Sequence, residues 1–125
     1  MNTVYAKQIC SLAQLAPMQC RSFAYQAGKQ NIEAFLLRLD DRVLAYRNAC
    51  PHTGAPLNWQ PNDFLNYDRS YIQCSIHGAE FLLENGLCVF GPCLHQSLEA
   101  VAVSLNNGYI YLAEAGSVSS CSLSE

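Results

Sequence analysis

Cys50-Pro51-His52-Thr53-Gly54-Ala55-Pro56-Leu57 and Cys74-Ser75-Ile76-His77-Gly78-Ala79-Glu80-Phe81 are the two stretches whose reading decides the fold of this chain. Each offers one thiolate and one imidazole two or three residues apart, a spacing at which a tight loop can turn both side chains toward one metal centre. Together they supply two sulfurs and two nitrogens, and 21 positions, residues 53 to 73, separate the first histidine from the second cysteine. Pro51 and Pro56 limit φ in the first loop, while Gly54 can take the positive φ that lets a backbone curl around a small inorganic centre. Gly78 follows the histidine of the second loop.

The order Cys-X-His, then Cys-X-X-His, each in a glycine-containing loop, and then a glycine-proline pair at Gly91-Pro92, resembles the three elements of Rieske [2Fe–2S] proteins. The likeness covers roughly residues 35 to 112 and extends less clearly to the N-terminal strands. It implies a [2Fe–2S] cluster as cofactor. Cys50 and Cys74 would bind the inner iron and His52 and His77 the outer one, with Gly54, Gly78 and Pro92 in the loops around them. Backbone N–H groups turned inward by such loops favour anionic sulfides.

Two neutral imidazoles in place of two thiolates make the reduced cluster less electrostatically penalised. This places Rieske potentials at roughly −150 to +300 mV, against about −400 mV for plant-type all-cysteine clusters. A free ring nitrogen on each histidine couples reduction to protonation at higher pH. High-potential members of the family add a disulfide between the boxes, and a serine and a tyrosine that donate hydrogen bonds to sulfur. The matching places here hold Ala55, Ile76, Ala79 and Phe81, which can do neither. The expectation is a potential below zero, as in ferredoxins of bacterial ring-hydroxylating systems.

A length of 125 residues fits one domain with one sizeable core. With 14% charged residues and a formal charge of −3, the surface has no reason to seek nucleic acid or an anionic membrane. The start lacks the shape of a signal peptide and no apolar run reaches a membrane span, so a soluble cytoplasmic protein is expected. The odd count of seven cysteines argues against a disulfide framework. Cys10, Cys20, Cys88 and Cys93 read as small buried hydrophobes, and Cys121 as an exposed thiol.

Alternating apolar stretches with turn signals predict strands at residues 4–7, 21–25, 33–39, 42–47, 71–73, 81–83, 87–90, 98–105 and 109–112. Residues 26–31, Asp40-Asp41, Asn85-Gly86 and Asn107-Gly108 read as hairpin turns, and 11–16 as a helical turn ended by Pro17. The fold class is therefore all-β: a Rieske-like antiparallel β-sandwich or barrel in one domain over 1–114, with a cluster-binding subdomain at about 48–93. The serine-rich residues 115–125 are expected to be disordered. Trp59 reads as local packing and His95 as a surface residue.

After the two ligand histidines only His95 remains, too little for a mononuclear iron site of two histidines and a carboxylate, and no dinucleotide fingerprint is present. The expected function is one-electron transfer from a reductase to an oxygenase or other terminal enzyme, through a transient interface around His52, His77 and Pro92. The protein is then a component of an oxidoreductase system and not itself a catalyst. Alternatives are a redox-sensing or regulatory subunit of the same fold, and a structural zinc site on the same four residues.

Overall fold

The computed structural model describes residues 7–40, 42–51, 53–58, 60, 62–75 and 78–121. Among the described residues, ten strands form three antiparallel sheets. The largest has the order β10-β2-β3-β4, built from β2 (Cys20–Ala27), β3 (Gln30–Arg38), β4 (Val43–Arg47) and β10 (Ser117–Cys121). A second joins β1 (Gln8–Ser11), β9 (Tyr109–Leu112) and β8 (Val103–Asn106) in the order β1-β9-β8. The third and smallest is β5 (Ile72–Gln73), β6 (Glu80–Phe81) and β7 (Cys88–Phe90).

Strand β3 explains how these sheets stack. Its run Ala34-Phe35-Leu36-Leu37 is wholly buried, and side chains along a strand alternate between faces. Ala34 and Leu36 enter a core with Ile9, Phe23, Tyr25, Ile110 and Leu112, which fills the space between the large sheet and β1-β9-β8. Phe35 and Leu37 enter a second core with Tyr46, Phe64, Ile72 and Phe81, which joins the large sheet to the small one. The same alternation on β4 sends Ala45 to the first core and Tyr46 to the second. A continuous apolar run is thus the signature of a strand covered on both faces.

Most of the expected hairpins form. The β2–β3 turn is tighter than residues 26–31, since Ala27 pairs with Gln30 and only Gly28-Lys29 lies between. The helical turn is a single 3₁₀ turn at Leu12–Gln14. Residues 1–6, including the expected strand at 4–7, lie outside the described residues, as do Asp41 and Trp59.

Two regions differ from expectation. Residues 98–102 do not extend β8: they cross between cores, with Leu98 in the second and Val101 in the first. On the way Arg47 N–H donates to Glu99 O at 2.8 Å and Val101 N–H to Ala45 O at 2.9 Å, so the segment lies along β4. Its apolar alternation is that of a strand, but its partner changes partway. The serine-rich tail is not disordered over 117–121, where it forms β10 against β2, with a bulge between Val118 and Ser120. Composition hid this, because only Val118 and Cys121 pack on the first core and the other three residues of the strand are serines. Among the described residues, no helix is long and apolar enough to cross a membrane.

Candidate metal centre

Strand β4 delivers the chain into the first loop, and β5 delivers it into the second. In the first loop Cys50 N–H donates to Ala55 O at 2.8 Å and Gly54 N–H to Cys50 O at 2.7 Å. In the second, Cys74 N–H donates to Ala79 O at 2.8 Å and Gly78 N–H to Cys74 O at 2.9 Å. The bonding is the same, residue for residue, within a shared frame of Cys, three variable residues, Gly and Ala. Cys-X-His and Cys-X-X-His therefore differ only in which variable place of one common loop the histidine takes. Both glycines have positive φ, +78° at Gly54 and +70° at Gly78, which the Cys–Gly backbone closure requires.

Each loop is pinned at its base. Asn48 Oδ1 accepts the Leu57 N–H at 2.7 Å and Asn48 Nδ2 donates to Asn58 Oδ1 at 2.9 Å, which closes the first loop across its neck. Ser75 N–H donates to Leu57 O at 2.8 Å and ties the second loop to the first. Behind them Phe35 stacks on Phe64 with centroids 4.0 Å apart and planes 10° from parallel, bracing the connection between the boxes against β3. That connection is held further by Ser22 N–H donating to Asn62 Oδ1 at 2.7 Å. Tyr46 Oη donates to Leu83 O at 2.9 Å, fixing the small sheet to β4.

Of the expected ligands, Cys50 and Cys74 are both buried, 3% and 1% exposed, in the same core. His52 and His77 lie outside the described residues, as does Ile76. Among the described residues no three His, Cys, Asp or Glu side chains are grouped to hold a metal ion. Gly91 and Pro92 follow β7, and Gly91 lies so close to the second box that a Cβ on it would be 2.8 Å from Ala79 Cα. Pro92 is exposed and so is His95, the latter at the loop's end with φ of +75°. Ala79 and Phe81 are fully buried, so neither place supplies a donor to sulfur.

Two cysteines read as plain packing, which flank the Gly91-Pro92 loop, stand near the first box. Cys88 and Cys93 are buried as foreseen, but Cys93 Sγ lies 3.1 Å from Cys88 Sγ. Burial first, then the hydrogen bond with Cys88 and contact with Cys50, push the Cys93 thiol up to about 12. Cys93 also lies against Cys50, so the Gly91-Pro92 loop reaches the first box as well as the second. The signal was in the sequence: two cysteines bracket the Gly91-Pro92 pair.

The residues present fit a [2Fe–2S] group. Two buried thiols stand at equivalent places of two like loops, and a Cβ at Gly54 or Gly78 would meet no described atom within 4 Å. Thiolate and imidazole donors are the ligands that iron–sulfur clusters of mixed ligation take.

Comparison with known proteins agrees with this geometry. Sequence comparison with curated proteins finds no match. Among solved structures, the chain is similar to one from the complex of reduced oxygenase and oxidized ferredoxin in carbazole 1,9a-dioxygenase, at 22% identity and a TM-score of 0.67, covering 94% of this chain and 100% of that one. It is similar to the ferredoxin of carbazole 1,9a-dioxygenase from Nocardioides aromaticivorans IC177, at 24% identity and a TM-score of 0.64, covering 85% and 94% of the two chains. The Sphingomonas yanoikuyae B1 ferredoxin matches at 20% identity and a TM-score of 0.59, over 86% of this chain and 96% of that one. The family model of the Rieske [2Fe-2S] domain matches residues 7–110, from the first strand of the sandwich through both cysteine loops to β9, and the chain therefore belongs to the Rieske [2Fe-2S] domain family.

Proposed function

We propose that this protein is a one-electron carrier whose [2Fe–2S] cluster is held by Cys50, His52, Cys74 and His77. It works as a single domain, with residues 48–93 as the cluster-binding part. The observation that carries this reading is the pair of identically bonded loops, each opening on a buried cysteine. When bound, such a cluster supplies a one-electron couple. The chain's own contribution is to exclude water from Cys50 and Cys74 and to hold the loop backbones by Asn48, Leu57 and Ser75, so that little rearrangement accompanies a change of charge.

The donor would be a reductase and the acceptor a terminal oxygenase or similar enzyme, as the ferredoxin likenesses suggest. Docking would use the end of the molecule that carries Pro92. There Phe90 is 62% exposed and Leu94 47%, apolar side chains of the kind that form the centre of a small transient interface. The odd count of seven cysteines, none of them in a disulfide, suits a reducing cytoplasm. The potential would lie toward the low end of the Rieske range because Ala79 and Phe81 offer no side-chain donor.

The deciding experiment is anaerobic iron and acid-labile sulfide determination on the purified protein, with an electron paramagnetic resonance spectrum after dithionite reduction. Equal iron and sulfide, two of each per chain, with a Rieske-type signal lost in Cys50→Ser and Cys74→Ser, is the expected result. Zinc without sulfide overturns the carrier reading and makes the four residues a structural site.

A further inference from the structure

Cys88 and Cys93 have no place in the four-residue ligand set, and yet their sulfurs are held together. Their Sγ atoms are 3.1 Å apart, and the two residues are 1% and 0% exposed. They bracket the six-residue segment Cys88-Val89-Phe90-Gly91-Pro92-Cys93. Its ends are fixed by backbone bonds: Cys88 N–H to Gln96 O at 2.7 Å, His95 N–H to Cys88 O at 3.2 Å, and Gln96 N–H to Cys93 O at 2.9 Å. The backbone therefore holds the two cysteines side by side whether or not their sulfurs are joined. A disulfide needs sulfurs at about 2.05 Å, so the two must approach by about 1 Å.

We propose that Cys88 and Cys93 are a redox modification site, a dithiol that converts reversibly to a disulfide across the loop bearing Gly91 and Pro92. The oxidant is a small peroxide, hydrogen peroxide being the simplest. One sulfur attacks the peroxide, its O–O bond breaks, and a sulfenic acid and one water form; the other sulfur then displaces the hydroxyl as a second water. Two thiols thus lose two electrons and two protons, and peroxide becomes two waters. Exchange with a dithiol reductant restores both thiols.

The position gives the bond a consequence. Gly91 rests on Ala79 of the second box, and Cys93 lies against Cys50 of the first. A covalent ring through 88–93 stiffens the loop that touches both boxes. In a reducing compartment such a bond is transient and regulatory instead of structural.

The test is peptide mapping by mass spectrometry. The intact, cluster-loaded protein is treated with hydrogen peroxide, unfolded, and alkylated with iodoacetamide. The expected result is a peptide pair joined at Cys88 and Cys93 that escapes alkylation, with both residues alkylated again after dithiothreitol. Cys93→Ser, purified with its cluster spectrum retained, should lose the cross-link and react no further at Cys88 than to the sulfenic acid. If peroxide leaves Cys88 and Cys93 fully alkylatable in the wild-type protein, or joins Cys93 to Cys50 instead, the proposal is overturned. Because the wild-type map decides by itself, failure of the variant to fold does not rescue the idea. Failure of the carrier reading would show in the metal analysis and leave this map unchanged.

Discussion

Replacing Gly91 by alanine tests how tightly the Pro92 loop is pressed onto the second box. The residue has φ of +108°, and an added Cβ would lie 2.8 Å from Ala79 Cα and 2.9 Å from Ala79 Cβ. Unstrained carbon pairs sit at about 3.5–4.0 Å, so the two backbones must part by at least about 0.7 Å. Ala79 is fully buried and its carbonyl accepts from Cys74 N–H, so the segment cannot yield without disturbing the cysteine loop. Overpacking of this kind costs about 1–3 kcal/mol, and an L-residue at positive φ adds about 1–2 kcal/mol. The total is about 2–5 kcal/mol. For a domain of this size 1 kcal/mol moves Tm by about 3–5 °C, which gives a fall of about 6–25 °C. The control is Gly28→Ala in the β2–β3 turn, where φ is +62° and the added Cβ meets no described atom within 4 Å, leaving only the backbone term. Thermal unfolding followed by circular dichroism compares the two. A Gly91→Ala melting point no lower than that of Gly28→Ala would refute the argument that the loop and the second box are in hard contact.

Phe35→Ala removes a fully buried ring stacked on Phe64 and should cost about 3–5 kcal/mol, read as a lower urea midpoint at unchanged slope; a loss under about 1 kcal/mol would mean that the ring braces nothing. Asn48→Ala leaves the Leu57 N–H without its 2.7 Å acceptor and should destabilise by about 1–3 kcal/mol, while Asn48→Asp, which keeps that acceptor, should recover part of it. The Cys121 thiol is held below its ordinary range by the hydrogen bond from Cys10 and by the Arg21 guanidinium, and it is only half-buried. It should carry more thiolate at neutral pH than an unperturbed cysteine and so alkylate first, its rate falling only at lower pH than is usual for a thiol. Cys20, whose thiol burial pushes up to about 12, should be among the slowest, and the opposite order in a timed iodoacetamide map would count against this.

The cysteine loops were legible in the sequence because metal ligation restricts residue type and spacing at once, and few other constraints produce Cys-X-His and Cys-X-X-His in tandem. What the sequence alone did not show is that both obey one frame, Cys50 to Ala55 and Cys74 to Ala79, because the offset of the histidine by one place masks it. Hairpins joined by Asn-Gly turns were readable from local chemistry, as at Asn107-Gly108 between β8 and β9. Residues 98–102 were misread because alternation reports exposure on two faces and not the identity of the neighbouring strand. The tail was misread for a related reason: a strand at the sheet edge can be mostly serine when only Val118 and Cys121 face the core. Their place on either side of Gly91-Pro92 was visible for Cys88 and Cys93, but not that their sulfurs meet, since the turn that folds them together takes its shape from bonds to Gln96 and His95.

Strand β3 is a partition with a core on either side, and this decides how the molecule can come apart. Phe35 and Leu37 cannot leave the cluster-side core unless Ala34 and Leu36 also leave the sandwich, because all four hang from one backbone paired on both edges. The cysteine loops are consequently not an appendage that can melt while the sandwich survives. Hydrogen exchange at the β3 amides is expected to proceed through global unfolding, and the metal-binding end to melt with the sandwich in one transition.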